Sequence, residues 1–465
     1  MNRKILVYKK YLPITLVVIF FTFVFSFHSI IKHLLFNSNA LDLGIYTQVS
    51  YLYSQGLAPL SSIRHMNLLG DHFEVILLLI SPIYKLFPFP ETLLIVQAIF
   101  VALSSIPIYL IAKDKIKNNL LSLLIVIIYQ TSVGITAAIN FDFHTTTISV
   151  LPLSLTLYFW YFKRWRLYWL TLFLAILFKE DVPIFLLGLG IFQIFRKQFK
   201  LGILTSIFSV ISFVVIKFYL MPFFWPGGDQ IYIDRSVFPL TNPLKLISLF
   251  LTQPGLFIDQ MTNSAVKAHT FENLYRQYAY LPFFSLFGWL TILPALFLRF
   301  SSTATATWTL IWHYNANLEP FLAVSAIFVI SRFRLTKILI TFFLILFLIS
   351  QGLNKSSMFW EPFQNNTKNI HDFNYINNSI SYIPNSAAVS AQSPIVPHVS
   401  NRKRVYMFPD ISGADYIILD TSLITYPLTK ADLENKIVAL KKNSDWKVDK
   451  TTNTLIVFRR INSSL

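Results

Sequence analysis

The stretch Gly70-Asp71-His72-Phe73-Glu74 stands immediately before the apolar run Val75-Ile76-Leu77-Leu78-Leu79-Ile80. Carboxylates placed where a chain meets hydrocarbon are costly unless they are paired or hydrated, so residues of this kind mark functional sites. Upstream, after the first long apolar run, the segment Leu41-Asp42-Leu43-Gly44-Ile45-Tyr46-Thr47-Gln48 contributes another acid. We therefore predict that Asp42 and the 70–74 cluster line a reaction site at the outer surface of a membrane protein.

Composition excludes several classes of protein. Of the 465 residues, 54% are hydrophobic and only 13% are charged, which excludes a soluble globular protein and indicates several membrane spans. The absence of cysteine excludes disulfides, cysteine metal sites and thiol nucleophiles. The net charge of +17 comes from short basic clusters between apolar runs, such as Lys163-Arg164-Trp165-Arg166. Such clusters set membrane topology, so we predict membrane lipids and no nucleic acid as partners.

The apolar runs and the basic clusters together predict a topology. With the N-terminus and the basic clusters in the cytoplasm, the C-terminus lies outside and about eleven transmembrane helices result, provided that segment 73–88 stays at the outer surface. All the polar motifs then converge on the outer face, in the cytoplasmic membrane of the cell. The apolar runs fall near 12–35, 73–88, 91–112, 119–139, 145–162, 167–178, 182–195, 201–222, 277–298, 301–313, 317–331 and 336–351.

From about residue 352 the composition shifts towards Asn, Ser, Lys and Asp. Segments 387–391 and 416–420 are predicted to form short buried strands, and 431–440 has the periodicity of a helix. The pattern at 447–458 predicts a closing hairpin. We predict a transmembrane domain at 1–351, with a first outer loop at 36–90 that carries juxtamembrane helices. A small soluble extracytoplasmic α/β domain follows at 352–465.

The outer acids suggest general base chemistry. A carboxylate can deprotonate an acceptor hydroxyl while a lipid-linked phosphate leaves a sugar carbon. The leaving phosphate needs cationic or hydrogen-bonding partners. Asp42 is the first acid after span one and the leading base, although a helix N-cap before Ile45 is the simpler explanation of this residue taken alone. The residues available to meet the phosphate are Arg64, His65, His72 and Lys179.

A divalent metal ion stays open as a cofactor, and no other cofactor is predicted. Asp71-His72-x-Glu74 and Asp142-x-His144 offer oxygen and nitrogen ligands, but their spacing is not diagnostic of a metal. The turn Lys179-Glu180-Asp181 lies between two short apolar runs and reads as a tight outer turn or a helix broken at membrane depth. No Gly-x-x-x-x-Gly-Lys-Ser/Thr loop occurs, so nothing in the sequence supports the use of ATP.

Several motifs together resemble the DUF2079 family of predicted membrane proteins. They are the 41–48 and 70–74 segments, Asn140-Phe141-Asp142-Phe143-His144 and Lys179-Glu180-Asp181, with Pro397-His398-Val399-Ser400-Asn401-Arg402 and Ala414-Asp415-Tyr416 in the tail. Leu41 departs from the aromatic residue usual there. That family is similar to the GT-C superfamily of polyprenyl-phosphate-sugar glycosyltransferases. The resemblance implies a GT-C-like polytopic helical fold, with the acid of the first outer loop at Asp42.

The leading hypothesis is a membrane glycosyltransferase that moves a sugar from a polyprenyl-phosphate donor to an envelope glycan, lipid or protein acceptor. Two alternatives are a transporter or lipid flippase, which would place polar residues in mid-membrane, and a non-catalytic scaffold for envelope polymers. Asp42 acts as base, with Asp71 and Glu74 as further catalytic acids and ligands of any metal. The predicted substrate-binding residues are Arg64, His65, His72, Asp142, His144, Lys179, Glu180, Asp181 and His313.

Overall fold

The first helix shows how the sequence builds the membrane part. This computed structural model describes residues 3–225, 235–239, 243–332, 341, 345, 348, 373–452 and 454–461. Helix α1 covers Arg3–Leu34. Phe21 and Phe25 lie four residues apart and pack into the helix bundle, whereas Phe23 is 68% exposed on the opposite face. Because residues four apart share one face of a helix, the apolar outer face is left for lipid.

The first loop folds into short elements rather than an extended connection. A π-helix at Ala40–Gly44 leads into α2 (Ile45–Ser54), then the hairpin β1 (Leu60–Ser61) and β2 (Met66–Asn67), α3 (Leu68–Asp71) and α4 (Ile76–Leu86). Helix α4 has 11 residues and rises about 16 Å, too little to cross a hydrocarbon core of about 30 Å. Its length agrees with the prediction that 73–88 does not cross by itself.

The bundle continues with helices of unequal length. They are α5 (Pro90–Leu103), α6 (Ser105–Ile116), α7 (Asn119–Gln130), α8 (Val133–Asn140), α9 (Thr145–Ile148), α10 (Val150–Tyr161), α11 (Trp165–Ala175), α12 (Val182–Phe195), α13 (Phe199–Val215), a π-helix at Ile216–Leu220, and α14 (Met221–Phe224). In the described ranges, three segments are long and apolar enough to span a membrane: Tyr11–Leu34, Pro90–Ile116 and Phe199–Phe224. Helices α7 and α8, bent by 41° at their junction, make a fourth if counted as one span. The predicted count of about eleven is not confirmed.

The second half of the bundle corrects one prediction. It begins with α15 (Pro243–Thr252), α16 (Pro254–Thr262) and α17 (Ala265–Arg276). The apolar run 277–298 forms a 3₁₀ turn at Leu281–Phe284 followed by α18 (Leu286–Phe300). The predicted span at 301–313 is wrong, because this segment holds only a 3₁₀ turn at Thr305–Trp308 before a second one at His313–Leu318. Helix α19 (Glu319–Ile330) follows, and most of the predicted run 336–351 lies outside the described residues.

The last part of the chain forms a small strand domain. After α20 (Phe373–Ile380) come β3 (Val389–Ala391), α21 (Val396–Val399), β4 (Val405–Met407), β5 (Tyr416–Asp420), α22 (Lys430–Lys442), β6 (Trp446–Thr451) and β7 (Leu455–Arg460). The sheet order is β4-β3-β5-β7-β6, parallel among the first three strands and antiparallel at β7 and β6. A capping box of Thr429 and Asp432 begins α22. The predicted strands, helix and closing hairpin are present.

The strand domain rests on the first loop. The Ser62 hydroxyl donates to the Val405 carbonyl (2.6 Å) and accepts from the Val405 N–H (2.9 Å). The Ala40 N–H donates to the Ser393 hydroxyl (3.2 Å). Leu43 and Val405 belong to one continuous buried apolar cluster that runs through both parts. The first loop is therefore clamped between the bundle and the strand domain.

Candidate active site

The polar motifs of the sequence meet around a cavity of about 190 Å³. Its wall is built by the first loop, by the turns before α9 and before α12, and by the 3₁₀ turn at His313–Leu318. The predicted site residues in this wall are Asp42, Arg64, Asp71, His72, His144, Lys179 and His313. Residues as far apart in the chain as Asp42 and His313 thus line one cavity, as the predicted convergence requires.

Asp42 projects into this cavity from the π-helix at Ala40–Gly44, and its side chain is 18% exposed. The Gly44 N–H donates to the Asn39 carbonyl (3.1 Å), the wide spacing that defines a π-turn. A Cβ at Gly44 would lie 2.9 Å from Val396 Cγ1, so the close approach of the strand domain needs glycine there. The N-cap interpretation of Asp42 is wrong, because Asp42 lies inside the helical segment and Gly44 is the N-cap of α2.

His144 holds the Asp42 carboxylate, with 3.3 Å between His144 Nε2 and Asp42 Oδ1. The backbone N–H of His144 donates to Gln97 Oε1 (2.9 Å), which fixes the start of α9 against α5. The ring of His144 stacks on that of His313, with centroids 3.6 Å apart and planes 15° from parallel. His144 is therefore positioned by its backbone, its ring face and its Nε2 atom.

His313 is buried, and in the described structure neither of its ring nitrogens has a hydrogen-bond partner. Burial and the neighbouring His144 hold the pKa of His313 well below its ordinary value. The ring is therefore neutral at pH 7. A neutral imidazole that lines a cavity with one free donor and one free acceptor is suited to a polar ligand such as a sugar hydroxyl.

Arg64 and Asp71 form a forked ion pair on one wall. Arg64 Nε lies 3.0 Å from Asp71 Oδ2, and the second contact, from Nη2 to Oδ1, is 3.4 Å. The hairpin of β1 and β2 carries Arg64, and α3 carries Asp71, so the pair joins two parts of the first loop. Because its carboxylate is engaged by a guanidinium, Asp71 is less available than Asp42 to accept a proton from a ligand.

Glu74 lies behind the cavity rather than in its wall. Its side chain is fully buried, and Oε1 accepts hydrogen bonds from the Tyr46 hydroxyl (2.9 Å) and the Thr145 hydroxyl (2.6 Å). Tyr46 itself lines the cavity. The predicted direct catalytic role of Glu74 is therefore not supported by its position, and what the contacts show is that it orients Tyr46.

The tight turn predicted at 179–181 is present between α11 and α12. Glu180 accepts from His72 Nδ1 (2.8 Å) and from the Phe73 N–H (3.2 Å). Burial opposes ionisation of Glu180, but His72 and Lys179 overcome it and lower the Glu180 pKa. Burial and the neighbouring charge of Lys179 each lower the pKa of His72. The carboxylates of Glu180 and Asp71 outweigh these two effects, so the pKa of His72 is raised. The contact is therefore an ion pair that ties this turn to the first loop.

Lys179 is buried in the cavity wall and stays charged. Burial lowers its pKa, but the carboxylates of Glu74, Glu180 and Asp181 outweigh that effect and raise it. Burial raises the pKa of Asp181, and its Oδ1 atom has no hydrogen-bond partner in the described structure. Glu180 and Asp181 do not line the first cavity; they face a second one beside it.

Asp142 also lies outside the cavity wall. It is buried between Lys32 Nζ (3.0 Å) and the Asn39 N–H (2.9 Å). Burial raises the Asp142 pKa, while Lys32 and the Asn39 N–H act in the opposite direction. Since Asn39 directly precedes the π-helix that bears Asp42, Asp142 supports the candidate base from behind. Sequence reasoning missed Lys32, whose only signal was a lysine in the last turn of the first membrane helix.

His65 corrects a prediction. Its side chain is 62% exposed, and its Nε2 atom lies 2.9 Å from Asp410 Oδ2 of the strand domain. It does not line the cavity, although it is adjacent in sequence to Arg64, which does. His65 adopts a left-handed backbone conformation, with a φ of 56°, in the turn of the hairpin. Its side chain therefore leaves the backbone in a different direction from that of Arg64, which lines the cavity.

The second cavity, of about 320 Å³, shares His72, Lys179 and Tyr314 with the first. Three cations that the sequence analysis missed also line it: Lys217, Arg235 and Arg299. Helix α18, which carries Arg299, also borders an apolar groove of about 880 Å³, to which it contributes Leu293 and Phe297. Phe297 is next in sequence to Leu298, which lines the cationic cavity, so the two spaces are neighbours along α18.

The predicted metal ligands do not form a metal site. Among the described residues, no group of three or more His, Cys, Asp or Glu side chains is placed to hold a metal ion. Asp71 faces Arg64, whereas Glu74 faces Tyr46 and Thr145. These two carboxylates therefore do not converge on one point where an ion would bind.

The family model described as "Predicted membrane protein (DUF2079)" matches residues 32–457. No curated protein matches the chain. Among solved structures, ArnT from Cupriavidus metallidurans bound to undecaprenyl phosphate is similar with a TM-score of 0.52 and 10% identity, covering 98% of this chain and 99% of that one. ArnT from the same organism in the apo state gives 0.45 and 10%, covering 90% and 93%. The first likeness confirms the GT-C-like helical fold at the level of overall architecture.

Proposed function

This chain belongs to the DUF2079 family of predicted membrane proteins, and from that premise we propose that it is a membrane glycosyltransferase using a polyprenyl-phosphate-linked sugar. The observation that carries the proposal is Asp42. It is a partly exposed carboxylate on a π-turn, held by His144, in a cavity that also presents Lys179 and Arg64. A base and a set of cations in the wall of one cavity match the two charges that develop in glycosyl transfer from a phosphate.

The reaction follows from these positions. Asp42 takes the proton of an acceptor hydroxyl, and the acceptor oxygen forms a bond to the anomeric carbon of the sugar. The bond from that carbon to the phosphate oxygen breaks, and the phosphate leaves with the electron pair. Lys179, His72 and Arg64 stabilise the leaving phosphate, because each presents N–H groups from the cavity wall. His144 keeps the Asp42 carboxylate oriented, and His313 contacts a hydroxyl of the sugar.

The neighbouring spaces suit the remainder of such a donor. Its phosphate reaches the boundary shared by the two cavities at His72 and Lys179, with Lys217, Arg235 and Arg299 beyond. Its prenyl chain follows α18 into the groove lined by Phe257, Phe271 and Phe297. An amphiphilic ligand gains from this order of spaces, because its charged and apolar parts each meet a matching wall.

We extend the proposal to topology. The N-terminus lies in the cytoplasm, and the cavity and the strand domain lie outside, since the basic clusters at 163–166 and 196–200 occur at the bundle end opposite to the cavity. The division into a transmembrane domain at 1–351 and an extracytoplasmic domain at 352–465 is part of this proposal, and its boundary lies outside the described residues. The acceptor is an envelope glycan, lipid or protein that reaches the cavity from outside.

Transfer of labelled sugar tests the proposal. Membranes containing the wild-type chain or Asp42→Asn are incubated with labelled polyprenyl-phosphate sugars, and product formation is measured over time. We expect a loss of about 10²- to 10⁴-fold, because general base catalysis contributes that much. Asp114→Asn, which removes an exposed carboxylate from the far end of α6, is the matched control and should keep full transfer.

Retained transfer in Asp42→Asn would refute Asp42 as base. If neither wild type nor variant transfers any sugar while envelope composition still depends on the chain, a scaffold becomes the better interpretation. Movement of labelled lipid across vesicles without sugar transfer would instead favour the flippase alternative.

A further inference from the structure

A separate cavity of about 460 Å³ lies at the opposite end of the bundle from the candidate active site. Helix α12 shows the separation: it begins at Val182, directly after the 179–181 turn, and ends at Phe195, which lines this cavity. Its 14 residues rise about 21 Å. The two sites therefore lie near opposite membrane surfaces, and this second one has no part in the proposed transfer reaction.

The cavity is strongly cationic. Lys115, Lys163, Arg196 and Arg332, from four different elements, line it, and no acidic side chain of the described chain does. None of these four forms an ion pair in the described structure. The nearby Asp114 carboxylate, on α6, accepts the Tyr161 hydroxyl (2.7 Å). Four cations gathered around one concave space attract an anion from solution or from the membrane.

The floor of the cavity is rigid and aromatic. Trp160 and Phe287 are buried and stack with planes 4° apart, and the indole N–H of Trp160 donates to Gln198 (3.0 Å). Ser285, which caps the N-terminus of α18, also lines the cavity. The positive end of that helix therefore opens onto the space and reinforces its preference for an anion.

The rim shows which kind of anion fits. Phe195 is 63% exposed and Leu286 is 51% exposed, and both line the cavity beside the cations. A soluble anion gains nothing from exposed apolar side chains, whereas a lipid places its acyl chains against them and its headgroup among the cations. Basic pockets between helices at a membrane surface bind anionic headgroups in this way.

We propose that this cavity binds the phosphate headgroup of one anionic phospholipid from the leaflet on that side of the membrane. Arg196 and Arg332 contact the phosphate oxygens, and Lys115 and Lys163 add positive charge around them. Phe195 and Leu286 receive the upper part of the acyl chains. The proposal does not depend on the glycosyltransferase function.

Native mass spectrometry of the purified full chain tests this. The protein is released from nanodiscs of mixed phosphatidylglycerol and phosphatidylcholine, and retained lipid is counted. We expect one phosphatidylglycerol to be retained in preference to phosphatidylcholine, and Arg196→Gln with Arg332→Gln to weaken its binding about thirty-fold. Arg166→Gln with Lys197→Gln is the matched control, because both residues are exposed at the same bundle end without lining the cavity. It should behave as wild type.

Three results would overturn the proposal. Equal loss in the cavity pair and the control pair would show that general surface charge attracts the lipid. Equal retention of the two lipids would show that the cavity does not recognise an anionic headgroup. Displacement of phosphatidylglycerol by millimolar inorganic phosphate would identify a site for a soluble anion instead. Lys115→Gln with Lys163→Gln repeats the test if the first cavity pair does not purify.

Discussion

Removal of one partner of the Lys32–Asp142 ion pair should destabilise the protein strongly. The two charges lie 3.0 Å apart, and the side chains are 13% and 1% exposed. At an effective dielectric constant of about 20, their attraction is about 5 kcal/mol. Most of this attraction offsets the cost of removing the two charges from water. When one partner is removed, however, the unpaired buried charge that remains costs about 3–5 kcal/mol of stability. We therefore expect Lys32→Met, which leaves the buried Asp142 carboxylate unpaired, to lower the free energy of unfolding by about 3 kcal/mol. Asp142→Asn should lower it by less, because burial already raises the pKa of the Asp142 carboxyl group.

The asparagine variant isolates charge from hydrogen bonding, because its amide oxygen still accepts the Asn39 N–H that Asp142 accepts at 2.9 Å. The double variant removes both charges, so it should lose no more than about 2 kcal/mol. The assay is a double-mutant cycle, measured by reversible unfolding of purified protein in mixed micelles. Asp114→Asn, at an exposed position, should change stability by less than about 0.5 kcal/mol. Additive losses in the cycle would refute the reasoning, since they would show that the two charges do not interact.

The His72–Glu180 ion pair should make the free energy of unfolding depend on pH. Its stabilising contribution is full between about pH 4.5 and 6.5. The contribution is lost as pH rises through the raised pKa of His72 and also as pH falls through the lowered pKa of Glu180. In thermal melts, the His72→Gln protein should therefore lose less stability between pH 6 and pH 9 than wild type. His269→Gln, at an exposed position, is the control and should follow wild type. The assignment would be contradicted if the stability of His72→Gln fell with pH in parallel with that of wild type. Ser62→Ala removes both hydrogen bonds to Val405 and should cost about 2 kcal/mol of docking. Hydrogen–deuterium exchange in β4 should then accelerate about thirty-fold, and unchanged exchange would show that apolar contacts alone hold the strand domain.

The sequence predicted the site well where local chemistry and topology agree. Asp42, His144 and Lys179 lie on three separate segments, yet the charge rule placed all three at one membrane surface and the structure brings them to one cavity. The short strands and the helix of the last domain followed from periodicity, since Leu433, Ile437 and Leu440 recur on one face of α22.

The span predicted at 301–313 failed for an identifiable reason. Its serine and threonine residues are nearly neutral in hydropathy, so the pattern could not distinguish a span from a packed irregular segment. Arg299, at the end of α18, donates to the Thr307 carbonyl (2.9 Å), and Trp308 donates back to the Ser302 carbonyl (2.9 Å). These side-chain contacts join residues eight and six positions apart, and they satisfy the two backbone carbonyls without a helix.

Side-chain direction was the other gap in the prediction. Glu74 and Asp71 stand three positions apart, but a break in the helix between α3 and α4 directs Glu74 into the core and Asp71 towards Arg64. Neighbours in sequence diverge in the same way at Arg64 and His65. Spacing alone identifies candidates, and only the fold decides which of them face the cavity.

The bond between the Ala40 N–H and Ser393 links residues 353 positions apart. During synthesis, the segment bearing Asp42 leaves the ribosome long before its partner does, so the π-turn lacks one of its supports until the chain is nearly complete. A nascent or truncated chain thus inserts in the membrane with an unfinished site. Under the proposed function, transfer would therefore begin only after the part of the strand domain that holds Ser393 has been made.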